Sequence, residues 1–266
     1  MLGAIIGDIV GSRWEFRRIK TKEFPLFSDR NGITDDSILT VAVADALMNN
    51  RDPAVSLRDW VRRVKTGQRV AGYGKKFINW VAAPTVQPPY GSFGNGGAMR
   101  VSPAAFLAST LEDCLVMSRR VTEITHNHPE GMKGALATAH AIFLALQNET
   151  VQTIRATITQ TYGYDLSLSV DETRIRHEYN ETAQGCVPEA LICALEAADF
   201  EDAIRNAVSL GGDADTLAAI AGGLAEARFD IPAEIATEAW RRMPEDMGNI
   251  VSQHYQLMHC HPCRGQ

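Results

Sequence analysis

No stretch of this 266-residue chain approaches the about 18 uninterrupted apolar residues of a membrane span. The apolar N-terminus, MLGAIIGDIVGSRWEF, lacks a basic leader and is interrupted by Asp8, so it is not expected to act as a signal peptide. Cysteine is scarce. The five residues, Cys114, Cys186, Cys193, Cys260 and Cys263, are odd in number and irregularly spaced. That excludes a disulfide framework and points to free thiols in a reducing cytoplasm. Basic charge is also short: 26 Lys and Arg stand against 32 Asp and Glu, a net charge of -6. A nonspecific nucleic-acid binder with a basic face is thereby excluded. The chain has no fixed-period repeat and no low-complexity linker, which favours a single domain. Strand signals are few, with Leu166 to Val170 as the best short candidate.

Helical patterns dominate what is present. Ser37 to Met48 begins after acidic residues and is apolar on most faces, the pattern of a buried helix. Leu111 to Thr122, Gly134 to Leu146, Pro188 to Ala198, Asp202 to Leu210, Thr216 to Arg228 and Ala233 to Arg242 also read as helices. Gly3, Gly7 and Gly11 recur every four residues, leaving a stripe without side chains along which another backbone can approach closely. The expected fold class is all-α.

Two short acidic sequences are the most informative feature. Thr34-Asp35-Asp36-Ser37 precedes one apolar helix, and Asp213-Ala214-Asp215-Thr216 precedes another. Either alone reads equally well as an N-cap. A cap needs one acceptor, however, and each cluster offers two carboxylates plus hydroxyls. A helix N-terminus supplies only roughly half a positive charge. Carboxylate and hydroxyl oxygens without a His and Cys set select hard cations, Mg²⁺ or Mn²⁺. Glu15 continues the glycine stripe and reads either as a surface residue or as a further ligand.

The glycine-dense segment Gly91 to Arg100 fits neither the P-loop pattern nor a G-x-G-x-x-G fingerprint after a strand. It reads as a connection, or as a loop that brings backbone N–H groups close to an anion or sugar. Gly72-Tyr73-Gly74 is a weaker instance. Thr125-His126-Asn127-His128-Pro129 offers two histidines, for substrate positioning or for structure, the latter favoured for His128. The C-terminal His259-Cys260-His261-Pro262-Cys263 has one C-x-x-C where a structural zinc site needs two pairs, and reads as a frayed tail.

In combination, GDIVGSRWE, ITDDS, GYG, GSFGNGGAMR, ITHNHPEG and SLGGDADTLAAIAGGLAEA resemble the ADP-ribosylglycohydrolase family. That family includes dinitrogenase-reductase-activating glycohydrolase and the mammalian ADP-ribosyl-acceptor hydrolases. The resemblance implies a compact, single-domain helical fold over residues 1–258, with a two-metal cleft and a tail over 259–266. Thr34, Asp35 and Asp36 resemble the first set of metal ligands, and Asp213, Asp215 and Thr216 the second, for two divalent cations, Mg²⁺ or Mn²⁺. Glu15 matches a glutamate near the reacting ribose, and Glu15, Asp35 and Asp215 are the expected catalytic residues. Ser92, Phe93, Gly94 and Asn95 match the segment lining the ADP-ribose site. His126 matches a histidine on the ligand-facing side, and Gly74 a loop near the distal ribose.

The implied reaction is hydrolysis of the bond between ADP-ribose C1″ and its acceptor by a water activated at the binuclear site. The expected partner is an ADP-ribosylated protein or another ADP-ribose conjugate, met by a cytoplasmic monomer. Nucleic acid enters only if it carries the ADP-ribose, and no membrane is involved. Arginine, serine, nucleobase, O-acetyl and polymer linkages all stay open. The rivals are a metal-dependent nucleotide phosphohydrolase and a non-catalytic ADP-ribose-binding module.

Overall fold

Fifteen helices account for the secondary structure of the computed structural model, which describes residues 1–64 and 72–259. In chain order they are α1 (Leu2–Gly11), α2 (Asp35–Met48), α3 (Pro53–Val64), α4 (Lys75–Ala82) and α5 (Gly96–Met99). They continue as α6 (Ser102–Leu107), α7 (Leu111–Thr122), α8 (Pro129–Leu146), α9 (Val151–Tyr162) and α10 (Val170–Arg176). The last five are α11 (Ala183–Glu196), α12 (Phe200–Val208), α13 (Ala214–Arg228), α14 (Ala233–Arg242) and α15 (Glu245–His259). No described helix is long and apolar enough to cross a membrane. The chain is an all-α single domain.

Helix α13 forms the axis of the packing. It is buried from Ala214 to Ala225 and touches α1, α8, α11 and α12. Small residues make this possible. Gly3, Gly7 and Gly11 of α1 face Gly222, Ala218 and Ala214 of α13, so the two helices run antiparallel at backbone contact. A Cβ on Gly7 would lie 1.9 Å from the Ala218 carbonyl oxygen. The consequence reaches the site, because the C-terminal end of α1 is thereby set against the N-terminal end of α13. Helix α2 is buried from Asp35 to Ala46 and packs on α1, α3 and α15, as its apolar pattern on most faces implies.

Several boundaries differ from the sequence expectations. Helix α8 starts at Pro129, five residues before Gly134, because His128 caps it and proline suits the first helical position. Helix α11 starts at Ala183, capped by the Thr182 side chain, and carries Pro188 inside it. Helix α12 begins at Phe200, two residues early, capped by Asp199. The strand expected at Leu166 to Val170 is absent. Leu166 is buried as a loop residue, and a capping box of Ser169 and Glu172 starts α10 at Val170. An isolated antiparallel bridge joins Gly94 and Thr182. The cysteines of the C-terminal His-Cys-His-Pro-Cys segment lie outside the described residues.

Candidate active site

The two acidic clusters, 180 residues apart in sequence, meet. The Thr216 hydroxyl donates to Asp36 Oδ2 at 3.4 Å, joining the N-terminal turns of α2 and α13. Carboxylate oxygens of Asp8, Asp36 and Asp215 lie within 4.8 Å of one another, as do those of Glu15, Asp213 and Asp215. Asp215 thus belongs to both triplets. The carboxyls of Asp213 and Asp215 are also within hydrogen-bonding reach of each other.

Burial makes this crowding costly. Asp35, Asp36 and Asp215 are each at most 6% exposed. Burial first, and then the charge of neighbouring carboxylates, pushes all three well above the ordinary carboxylate range. Asp213 is raised in the same way, by burial and by Glu181. Glu15 follows the end of α1, and burial with Asp213, Asp8 and Glu181 raises its carboxyl to about 7. Asp36 Oδ1 is buried without a hydrogen-bond partner. Such an oxygen, in a cluster of excess negative charge, is fitted to a cation.

Asp8 plays a different part from its neighbours. Its carboxylate accepts from Thr34 N–H at 2.9 Å, Thr34 Oγ1 at 2.7 Å, Ser37 N–H at 3.0 Å and the Ser37 hydroxyl. With its oxygens so engaged, Asp8 anchors the start of α2 and fixes the segment carrying Asp35 and Asp36. Thr34 itself caps α2, accepting from Asp36 N–H. The sequence signal for Asp8 was its position, a lone carboxylate inside an apolar helix.

The acidic cluster lines a cavity of about 330 Å³, within the size range of small-molecule clefts. Of the residues singled out from the sequence, Glu15, Asp35, Asp36, Gly74, Ser92, Gly94, Asn95, His126, Asp213, Asp215 and Thr216 line it. Thr34 is outside the lining, in the α2 cap, with its hydroxyl 3.4 Å from Asp36 Oδ2. Phe93 is 48% exposed and packs edge-on against His128, away from the cavity lining. Asn95 is committed to the cluster: its side-chain amide donates to Asp213 Oδ2 at 2.7 Å. His126 is buried against the glycine loop and exchanges a hydrogen bond with Thr125 Oγ1 at 2.8 Å. Burial, and then the Arg100 guanidinium, holds its imidazole well below the usual range, so it is neutral.

Of the other wall residues, Tyr90, Tyr179 and Glu181 belong to no motif, and Arg100 ends the glycine-dense segment. Tyr90 and Arg100 stand near His126, and Tyr179 and Glu181 stand near Glu15. Glu181 is brought in by tertiary pairing alone. Asn95 N–H donates to the Glu181 carbonyl at 2.9 Å, and Ala183 N–H to the Phe93 carbonyl at 2.9 Å.

The family model described as ADP-ribosylglycohydrolase matches residues 1–258. ADP-ribosylhydrolase ARH3 of Homo sapiens is 25% identical over 321 residues, covering 92% of this chain and 88% of its own. ADP-ribosylarginine hydrolase Tri1 of Pseudomonas putida (strain GB-1) is 25% identical over 275 residues, covering 90% of this chain and 73% of its own. A solved structure described as an ADP-ribosylglycohydrolase-related protein complex has a TM-score of 0.70 at 24% identity, covering 97% of both chains. That likeness shows a shared fold.

Proposed function

The chain belongs to the ADP-ribosylglycohydrolase family, and from that premise we propose that it is a metal-dependent hydrolase of the bond between ADP-ribose C1″ and its acceptor. One observation carries the reading. Acidic sets from opposite ends of the chain converge with Glu15 in one cavity, which the glycine loop and His126 also line.

Asp35, Asp36, Asp213 and Asp215, with the hydroxyls of Thr34 and Thr216, are the residues that would hold two divalent cations. Asp36, Asp213 and Asp215 belong to the two oxygen triplets that share Asp215, which Asp8 and Glu15 complete, and with the unpartnered Asp36 Oδ1 they fit such a pair. An all-oxygen donor set favours Mg²⁺ or Mn²⁺. When bound, the ions would supply Lewis acidity and positive charge beside these carboxylates.

The chain's own groups do the rest. Glu15 moves the proton: its carboxylate, beside Asp213 and Asp215 at the cavity wall, can take one from an attacking water and return it to the leaving group. Asn95 orients Asp213 through its amide. Neutral His126 presses on the loop without adding charge, and Ser92, Gly94 and Gly74 form the wall along which sugar and phosphates lie. Phe93 contributes through its backbone, which accepts from Ala183 N–H and holds the loop in place.

The substrate is an ADP-ribosylated protein or another ADP-ribose conjugate. The name of one relative specifies an arginine acceptor and that of the other leaves it open, so the acceptor is a matter for experiment. Arginine-, serine- and nucleobase-linked substrates should be compared in EDTA, Mg²⁺ and Mn²⁺. Metal-dependent release of ADP-ribose from at least one is expected. AMP or phosphate as product would instead indicate a nucleotide phosphohydrolase. Binding of ADP-ribose without turnover in either metal would indicate a binding module.

A further inference from the structure

The turn that delivers Asp213 and Asp215 is held from outside by groups that the mechanism above does not use. Gly211 has φ +74, and a Cβ there would meet the Ile19 carbonyl oxygen at 2.7 Å and Lys20 Cε at 3.3 Å. Gly212 is pressed against the His177 ring, where a Cβ would lie 1.9 Å from Nε2. Only glycine allows the ring so close to the backbone that leads into Asp213.

His177 is itself fixed. Its side chain is 1% exposed, its Nδ1 bonds the Glu189 carboxylate of α11, and its Nε2 is buried without a hydrogen-bond partner. The residue caps the C-terminal end of α10, with its N–H donating to the Thr173 carbonyl at 2.8 Å. Lys20 Nζ donates to the carbonyls of Arg174 at 2.8 Å and His177 at 3.2 Å, tying that helix end to the segment after Glu15. The Gly211-Gly212 turn is therefore gripped between Lys20 on one side and His177 on the other.

We infer that His177, oriented by Glu189, is a positioning residue that sets the Gly212 turn and with it the aim of Asp213. The inference rests on the cation-site reading above for its functional consequence, though not for its geometry. A hydrogen-bonded carboxylate behind an imidazole is a common way to fix a ring's orientation, and losing such supporting groups typically weakens metal binding by about 10–100-fold. Here the ring acts through shape: it touches the backbone beside a ligand, not the ligand itself.

Mn²⁺ binding measured by calorimetry on the full chain, with crystal structures of the variants, tests the assignment. His177→Ala and Glu189→Ala should each raise the Mn²⁺ Kd by about ten-fold or more. Both should lengthen the Asn95–Asp213 contact from its present 2.7 Å. Glu189→Gln keeps an acceptor for the ring N–H and should restore most of the affinity. Turnover at saturating Mn²⁺ should fall less than metal affinity. A purely packing role would lower the melting temperature and leave Kd and the Asp213 position unchanged, which would overturn the inference. Should His177→Ala not fold, Glu189→Ala, whose side chain is 25% exposed, carries the same test. Failure of the unaltered protein to bind Mn²⁺ would sink the cation-site reading instead. The Asp213 displacement would then decide the positioning role alone.

Discussion

Gly7→Ala puts a single methyl group where α1 and α13 touch. The new Cβ would sit 1.9 Å from the Ala218 carbonyl oxygen and 2.3 Å from its carbon, both in backbone. Ordinary contact begins at 3.4 Å, so the two helices must part locally by about 1.5 Å. Overpacking of this kind costs about 1–3 kcal/mol, and the intrinsic helix preference of Ala over Gly offsets at most about 1 kcal/mol. Parting also loosens contacts along neighbouring turns, so a net loss of about 2 kcal/mol is expected. The same movement shifts Glu15 and Asp8 relative to Asp213 and Asp215. A misplacement near 1 Å costs catalysis about 10²-fold. Urea unfolding and substrate turnover should be measured beside Gly32→Ala, since no atom lies within 4 Å of a Cβ at Gly32. The control should stay within about 0.5 kcal/mol of the unaltered protein. Unchanged stability and turnover in Gly7→Ala would refute the claim that the glycine stripe assembles the site.

Asp8→Ala should destabilise by about 2–4 kcal/mol, because two N–H groups and two hydroxyls at the start of α2 lose their acceptor. Asp8→Asn should fall between, and an unfolding midpoint equal to the unaltered protein's would count against Asp8 as the anchor. In EDTA, stability should fall as pH rises from about 4.5 to about 7. The Glu15 carboxyl titrates near 7 in the folded chain against an ordinary 4.5, so the folded state binds the extra proton in that window. Urea midpoints at pH 5 and 7.5 check this; a flat profile contradicts it, and Mn²⁺ should shrink the fall. Asp215→Ala removes the carboxylate common to both triplets. It should abolish turnover with circular dichroism little changed, and retained activity would exclude the shared-ligand arrangement.

Much of this was legible because the same residues carry both fold and site. The acidic clusters start α2 and α13, whose apolar runs announce buried helices, and the glycine stripe marks the contact that brings them together. Elements with thin apolar faces were harder to see. Helix α9 buries only Ile154 and Ile158, too sparse a stripe to stand out. Helix α3 has an amphipathic face, but its start rests on Pro53 and the Asp52 side chain, which accepts from Val55 N–H at 2.9 Å. At Leu166 the alternation that suggests a strand reflects single apolar residues reaching the core from a loop.

The site divides in the same way. Motif residues such as Asp35, Asp215, Ser92 and His126 surround one cavity. Asn95 reaches the cavity wall too, yet its amide faces Asp213, a direction no linear pattern encodes. Tyr179 and Glu181 join only through the pairing of Thr182 with Gly94, and His177 only through its contact with Gly212. Each is a consequence of packing between segments distant in the chain.

The proposed hydrolysis depends on the buried carboxylates forming a paired cation site in the cavity. Anomalous diffraction from crystals grown with Mn²⁺ addresses it most directly. Two Mn²⁺ peaks are expected on either side of Asp215, one toward Asp36 and the other toward Asp213 and Glu15. Crystals that bind ADP-ribose in the cavity yet show no Mn²⁺ at these carboxylates would contradict it.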